Sequence, residues 1–520
     1  MRVAIVHYHL KRGGVTRIIE STLRGLDRLD HAPECVVLAG EVPEDFHYRE
    51  RARRVAGLHY SNAQAETPDA HTLLQRMRHA ARTALGGEPD LWHIHNHSLG
   101  KNSAMPGVVA ELADAGEPLL LQLHDFAEDG RPENYRLNQE RTESAACLYP
   151  NAGHVHYAII NARDTAIFDA AGLSRSTGVP PVPPHTGSQL HLLPNPIEAQ
   201  AAGTEFPAAP ILDTLGAKRL FLYPVRAVRR KNFGEMLLWA ALAEPGDVFA
   251  TTLGPTNRNY LAAYQDWQHF ARQHQLPVHF GIAETHAWPF EAIMQSAHAI
   301  LSTSIAEGFG LAFLEPWLFG KPITGRDLPA ITADFKAHGI QLTRERQAPV
   351  SAPTPAESAR HTMPAEGLYP SLPIPADWIH QEHLRTALTA GLTTAYAAYR
   401  RPLPLDAVAR ALAAITPAPG QIDFGGLDES LQQSVIKRVR TDPSAASALP
   451  RLQTWSDSSH IEHNANKVIQ NYSLAQYAEN VNACYNSICA ANNTAAPQYL
   501  DPAKVLDGFL QPEHFRLLRT

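Results

Sequence analysis

Cysteine is scarce, with four residues in 520, Cys35, Cys147, Cys484 and Cys489, and no Cys-x-x-Cys pair among them. That excludes a zinc ribbon or a disulfide-stapled scaffold and leaves reduced thiols in a cytoplasmic protein as the expectation. Long hydrophobic runs are missing too. No apolar stretch approaches the roughly 20 residues that cross a bilayer, so no integral membrane contact is expected. The opening apolar run is broken by His7 and His9 and followed by Lys11 and Arg12, unlike a signal peptide. Nor is there an excess of positive charge: 45 Lys and Arg against 52 Asp and Glu give a net charge of −7, which argues against nucleic acid or an anionic membrane as the main partner. Oligomeric state is not readable.

What is present is an ordinary globular composition, 44% hydrophobic and 19% charged, in a chain long enough for two or three domains. Short aliphatic or β-branched runs alternate with helical patterns, the signature of βαβ units and buried parallel sheets. A first series of strands is expected at residues 3–7, 35–39, 91–95, 119–124, 157–161 and 190–193. A second is expected at 220–224, 248–253, 278–280, 299–302 and 322–324. Val15, Ile18, Ile19, Thr22 and Leu26 fall on one face of a helix. The implied organisation is an α/β chain with one domain over 1–205 and a second over 206–472. The second carries a proline-rich insertion near 345–420, and residues 473–520 pack back on the first domain. Ser473-Leu474-Ala475-Gln476 matches a capping box that opens a helix to about Ile488. Residues 174–188 read as an exposed insertion and 201–210 as a linker.

Three segments carry candidate chemistry. Gly13-Gly14 follows the first strand and precedes the first helix, where bare backbone lets a ligand approach the helix N-terminus. Arg226 to Lys231 places four cations in six residues at the end of a strand, and Arg226 with Lys231 could clamp a diphosphate. Glu307-Gly308-Phe309-Gly310-Leu311 leads to Glu315, eight residues after Glu307, at the strand edge where open α/β sheets hold ligands. Glu315 on a first helical turn can accept two hydroxyl hydrogen bonds.

Together these elements resemble the retaining, nucleotide-sugar-dependent glycosyltransferases of family 4, which have the GT-B fold. The shared pieces are the Gly-Gly turn, His124-Asp125, Pro194-Asn195-Pro196, Arg226 with Lys231, the E-x7-E segment from Glu307 to Glu315, and Gly325-Arg326-Asp327-Leu328-Pro329. The resemblance implies two Rossmann-like domains with parallel sheets facing a cleft, and a C-terminal helix that returns to the first domain. It implies a sugar moved from a nucleotide-diphosphate sugar to an acceptor hydroxyl with retained configuration. Arg226 and Lys231 would hold the diphosphate, Glu315 the ribose, and Glu307 with Gly308, Phe309, Gly310 and Leu311 the transferred sugar. Gly13 and Gly14 would approach the phosphates or the acceptor, and His124 the sugar near the reacting centre. No Asp-x-Asp triplet occurs, so no metal and no cofactor beyond the nucleotide sugar is implied. Pro196 stands where the family often has glycine, and the proline-rich stretch leaves a large region unmatched.

Other readings stay open on these residues. A hydrolysing nucleotide-sugar epimerase of the same fold would need an acid/base set that is not apparent. A catalytically silent nucleotide-sugar-binding protein would keep the same motifs. His93, His95 and His97, spaced at period two, would share one face of a strand and could bind zinc in a metal-dependent hydrolase; His154 and His156 form a second such pair.

Overall fold

The computed structural model describes residues 1–61, 68–140, 147–173, 188–198, 206–345, 365–491 and 496–519. Most of the insertion at 174–188, the first half of the 201–210 linker and residues 346–364 of the proline-rich stretch lie outside the described residues. The chain forms two compact units.

The first unit comprises Met1–Glu198, Ala398–Arg401 and Gln470–Gln511. Its strands are β1 (Arg2–Val6), β2 (Glu34–Ala39), β3 (Ala52–Arg54), β4 (Leu91–His95), β5 (Leu119–Leu123), β6 (Pro150–Asn151), β7 (Val155–Ile159) and β8 (Leu190–Leu192). Seven form one sheet in the order β3-β2-β1-β4-β5-β7-β8, every pair parallel. Side-chain alternation divides two cores. Ala4, Val6, Trp92, Ile94, Leu119, Leu121 and Leu123 face one, and Val3, Ile5, Leu91 and Leu120 face the other. Both faces are therefore buried, which is why these strands read as continuous apolar runs. The second face is covered by the helix Gly14–Leu26 and by Leu474–Ala490, which contributes Tyr477, Val481 and Tyr485. Ser473 caps that second helix by accepting from Gln476 N at 3.3 Å, but the Gln476 side chain turns to Asn480 rather than back to the cap.

The second unit comprises Ala199–Ala397, Pro402–Ile469 and Pro512–Thr520. Its strands are β9 (Arg219–Arg226), β10 (Asp247–Leu253), β11 (Val278–His279), β12 (Ala299–Ser302), β13 (Ile323–Arg326), β14 (Thr343–Glu345) and β15 (Ala365–Tyr369). They form one sheet in the order β11-β10-β9-β12-β13-β15-β14, parallel except for the β14–β15 pair. Two differences from the sequence reading stand out. The end of the proline-rich stretch builds β15 inside the sheet, where prolines on either side hid a five-residue strand. Pro512 onward belongs to this second unit rather than to the first, held by Glu513 on Arg410 at 2.6 Å and by buried Leu517 and Leu518.

Candidate functional site

The expected site residues fall into two groups, one in each unit. In the second unit β9 runs two residues past the expected end and carries one extra residue against β10 between Tyr223 and Arg226, a stretch that contains Pro224, whose missing N–H cannot join the ladder. Arg226 leaves the strand exposed, with no ion pair to a described residue. A single turn, Arg229–Lys231, then ends at Asn232, a buried residue with φ 51°. That left-handed residue turns the chain into the helix Phe233–Ala241.

The turn sets Lys231 against Glu307. Lys231 Nζ forms an ion pair with Glu307, Arg230 Nη1 approaches the same carboxylate at 3.5 Å, and Ser304 Oγ donates to it at 2.6 Å. Tyr223 OH lies 2.6 Å from Ser304 Oγ and 3.0 Å from the Lys231 carbonyl. The Glu307 side chain is only 8% exposed. Burial alone would push its carboxyl up, but Lys231 and Arg230 outweigh burial and hold it below the usual glutamate value. Burial, reinforced by Arg230 and opposed by Glu307, lowers the Lys231 ammonium. Sequence reasoning had assigned Glu307 and Lys231 to different parts of a ligand; the fold makes them one pair. Tyr223 and Ser304 were missed, since nothing in their spacing marks them.

The glycines of this region have different causes. At Gly310, φ is 88° and a Cβ would meet Ile331 Cγ2 and Phe313 Cδ2 at 2.9 Å, so the fold requires glycine. A Cβ at Gly308 would meet nothing within 4 Å. Phe309 is buried against the Phe335 ring, Leu311 begins a short turn, and Glu315 opens the helix Glu315–Leu318, partly buried.

Behind this edge lies a buried charge network that sequence reasoning quoted only as a motif. Arg326 lies between Glu235 (2.5 Å) and Asp423 (2.8 Å), all three nearly inaccessible. Asn232 Nδ2 and Tyr369 OH each donate to Glu235 at 2.8 Å. Arg229, one of the four expected cations, is committed to Glu429 at 2.8 Å and 3.0 Å. The turn that aims Lys231 is thereby anchored on both sides.

In the first unit, Gly13 is extended (φ −179°) and a Cβ at Gly14 would meet nothing within 4 Å, so neither glycine is demanded by packing. His124 follows β5, its backbone N–H donating to Asn96 Oδ1 at 2.8 Å. Its ring Nε2 lies 3.0 Å from His95 Nδ1. His93 is enclosed, with Nδ1 at 2.8 Å from Tyr485 OH and Nε2 at 2.9 Å from Gln122 Oε1. The expected three-histidine face does not form. Asn96, at φ 54°, breaks the alternation after His95, and His97 turns to the opposite core against Tyr149 and Tyr157. His154 and His156 have separate hydrogen-bond partners: His154 bonds Ala113 O, and His156 bonds His191 and Gly153 O. Among the described residues no group of three or more His, Cys, Asp or Glu is placed to hold a metal ion. Burial holds His7 and His93 at about 3 and His97 and His124 at about 4, so these rings are neutral near pH 7.

The architecture is the GT-B fold. HepE from Anabaena, crystallised with UDP, superposes with a TM-score of 0.50 at 12% identity, over 94% of this chain and all of that one. Sucrose-phosphate synthase from Thermosynechococcus elongatus gives 0.48 at 13% identity, over 95% and 100%. Mannosylglucosyl-3-phosphoglycerate synthase from Petrotoga mobilis is 24% identical over 361 residues, 64% of this chain. The chain spans 66% of that relative's length. No family model matches the chain. No helix among the described residues is long and apolar enough to cross a membrane.

Proposed function

We propose that this GT-B protein is a glycosyltransferase that moves a sugar from a nucleotide-diphosphate sugar to an acceptor hydroxyl with retention, in the manner of family 4 and without a metal. The observation that carries the reading is the Lys231–Glu307 pair at the carboxyl edge of parallel strands β9 and β12, flanked by exposed Arg226, which makes no ion pair with a described residue, and by Gly308, where an added Cβ would meet nothing within 4 Å. Lys231 spends one of its ammonium protons on Glu307, leaving two for phosphate oxygens. Arg226 adds a fork suited to the second phosphate.

In the transfer, the bond between the anomeric carbon and the phosphate oxygen breaks as the acceptor oxygen bonds the same carbon from the same face. The acceptor proton passes to the departing phosphate. Negative charge grows on that phosphate, and Lys231 and Arg226, held in place before reaction, stabilise it without reorganising. Glu307 and the Gly308 to Leu311 backbone hold the sugar, Glu315 the ribose, Gly13 and Gly14 approach the phosphates or the acceptor, and His124 contacts the sugar near the reacting centre. The UDP named for HepE supports a nucleoside-diphosphate site of this kind.

The test is an assay of nucleoside diphosphate release from UDP-, GDP- and ADP-sugars with polyhydroxylated acceptors, followed by NMR of the product anomeric centre. Acceptor-dependent release with the donor's configuration is expected. Release that does not depend on any acceptor, or an inverted product, would overturn retaining transfer.

A further inference from the structure

We infer that His95 fixes the tautomer of His124, so that His124 presents Nδ1–H as a hydrogen-bond donor to a sugar or acceptor oxygen. The inference rests on the proposed contact of His124 with substrate and adds the residue that orients it.

The two rings lie within 9° of parallel with centroids 5.3 Å apart, while His95 Nδ1 and His124 Nε2 are 3.0 Å apart. That combination is edge to edge, nitrogen to nitrogen, rather than a face stack, so one proton bridges the pair. Both rings are neutral, and only two arrangements exist. In one, His124 donates from Nε2, and the single proton of His95 then sits on its own Nε2. That atom is buried with no hydrogen-bond partner, in a residue 1% exposed. In the other, His95 donates from Nδ1, and its Nε2 keeps only a lone pair. A buried orphan N–H costs more than a buried orphan acceptor, so the second arrangement is selected. His124 then accepts at Nε2 and carries its proton on Nδ1, which bonds no described residue.

The neighbours leave this assignment in place. His93, with its ring centroid 4.4 Å from that of His95, is saturated: Gln122 Nε2 donates to Tyr477 OH, so Gln122 Oε1 takes the His93 Nε2 proton and Tyr485 OH donates to Nδ1. His7 packs edge-on to His95 with centroids 6.2 Å apart and bonds the His95 backbone, not its ring. The same unit uses the device a second time. His156 Nε2 must donate to Gly153 O at 3.1 Å, so His156 Nδ1 accepts from His191 Nε2 at 2.8 Å.

The experiment is long-range proton–nitrogen correlation NMR of the full chain labelled with nitrogen-15 histidine at pH 7.5, with His124 assigned by its loss in His124→Gln. The expected pattern is the Nδ1–H tautomer for His124. In His95→Asp, whose carboxylate can only accept at the place of Nδ1, it should pass to Nε2–H and kcat fall about tenfold with KM little changed, the order expected for one misdirected hydrogen bond. In His95→Asn, whose amide can donate from the place of Nδ1, the Nδ1–H pattern and the turnover should return. An Nε2–H pattern in the native protein, or no change in His95→Asp, would overturn the inference. Unchanged turnover in His124→Gln would instead overturn the substrate contact on which it rests, with the tautomer still on record.

Discussion

A methyl group added at Gly14 or Gly308 meets open space, while one added at Gly310 meets Ile331 and Phe313. The three glycines therefore answer to different demands, and substitution separates them. Gly310→Ala should destabilise the protein by about 1–2 kcal/mol through its left-handed backbone alone, read as a lower urea midpoint. Gly14→Ala and Gly308→Ala should leave the midpoint within about 0.5 kcal/mol and raise KM for the nucleotide sugar. A stability loss without a kinetic one would make these glycines structural. Lys231→Met removes the cation proposed to face the phosphate; kcat should fall about 10²- to 10³-fold, the scale of losing one preorganised charge stabiliser. At this scale the sequence was partly legible. The backbone-bearing glycines and the cations announce themselves by type and position. Tyr223, Ser304 and His95 do not, because their roles depend on which distant strand lies beside them.

Among the elements, the parallel strands were the most readable, since burial on both faces leaves uninterrupted apolar runs. The strand β15 was not, because its sheet hydrogen bonds are invisible in a sequence crowded with proline. Histidine spacing misled for a related reason: period two holds only while the strand lasts, and Asn96 ends it one residue after His95. The Arg326 network joins β13 to the helix Phe233–Ala241 and to Asp423. Arg326→Met removes the cation between two buried carboxylates, leaving only the electrostatic influence of Arg516 on Asp423, and should cost about 3–5 kcal/mol. Denaturant unfolding measures it, and a loss below 1 kcal/mol would show that the triad does not hold the turn carrying Lys231.

Across the whole molecule the buried histidines are concentrated in the first unit. His7, His93 and His191 are lowered to about 3, His97, His124 and His156 to about 4, and His95 lies well below its ordinary value, all chiefly by burial. A histidine kept neutral in the fold but free to protonate when unfolded stabilises fully above pH 6.5. That stability is lost as the pH falls towards 4, at up to about 1.4 kcal/mol per pH unit for each group. Glu128, raised to about 7 by burial, works in the opposite direction and is outnumbered. The first unit should therefore unfold before the second between pH 6 and 4, which hydrogen exchange resolved by peptide would follow; loss of the second unit first would contradict this balance. The division into two βα series was legible from the strand rhythm, while the return of Pro512 onward to the second unit was not, since it depends on Arg410 and on a buried contact far away in sequence.

The central claim is that the edge of the second unit around Lys231 and Glu307 binds the diphosphate of a nucleotide sugar. Calorimetric titration of UDP, GDP and ADP into the native protein and into Arg226→Ala tests it most directly. The account predicts binding of at least one of these nucleotides without added metal, weakened about tenfold or more in the variant, as loss of a charge-assisted bidentate contact implies. Equal binding by both proteins, or binding of none of the three, would contradict it.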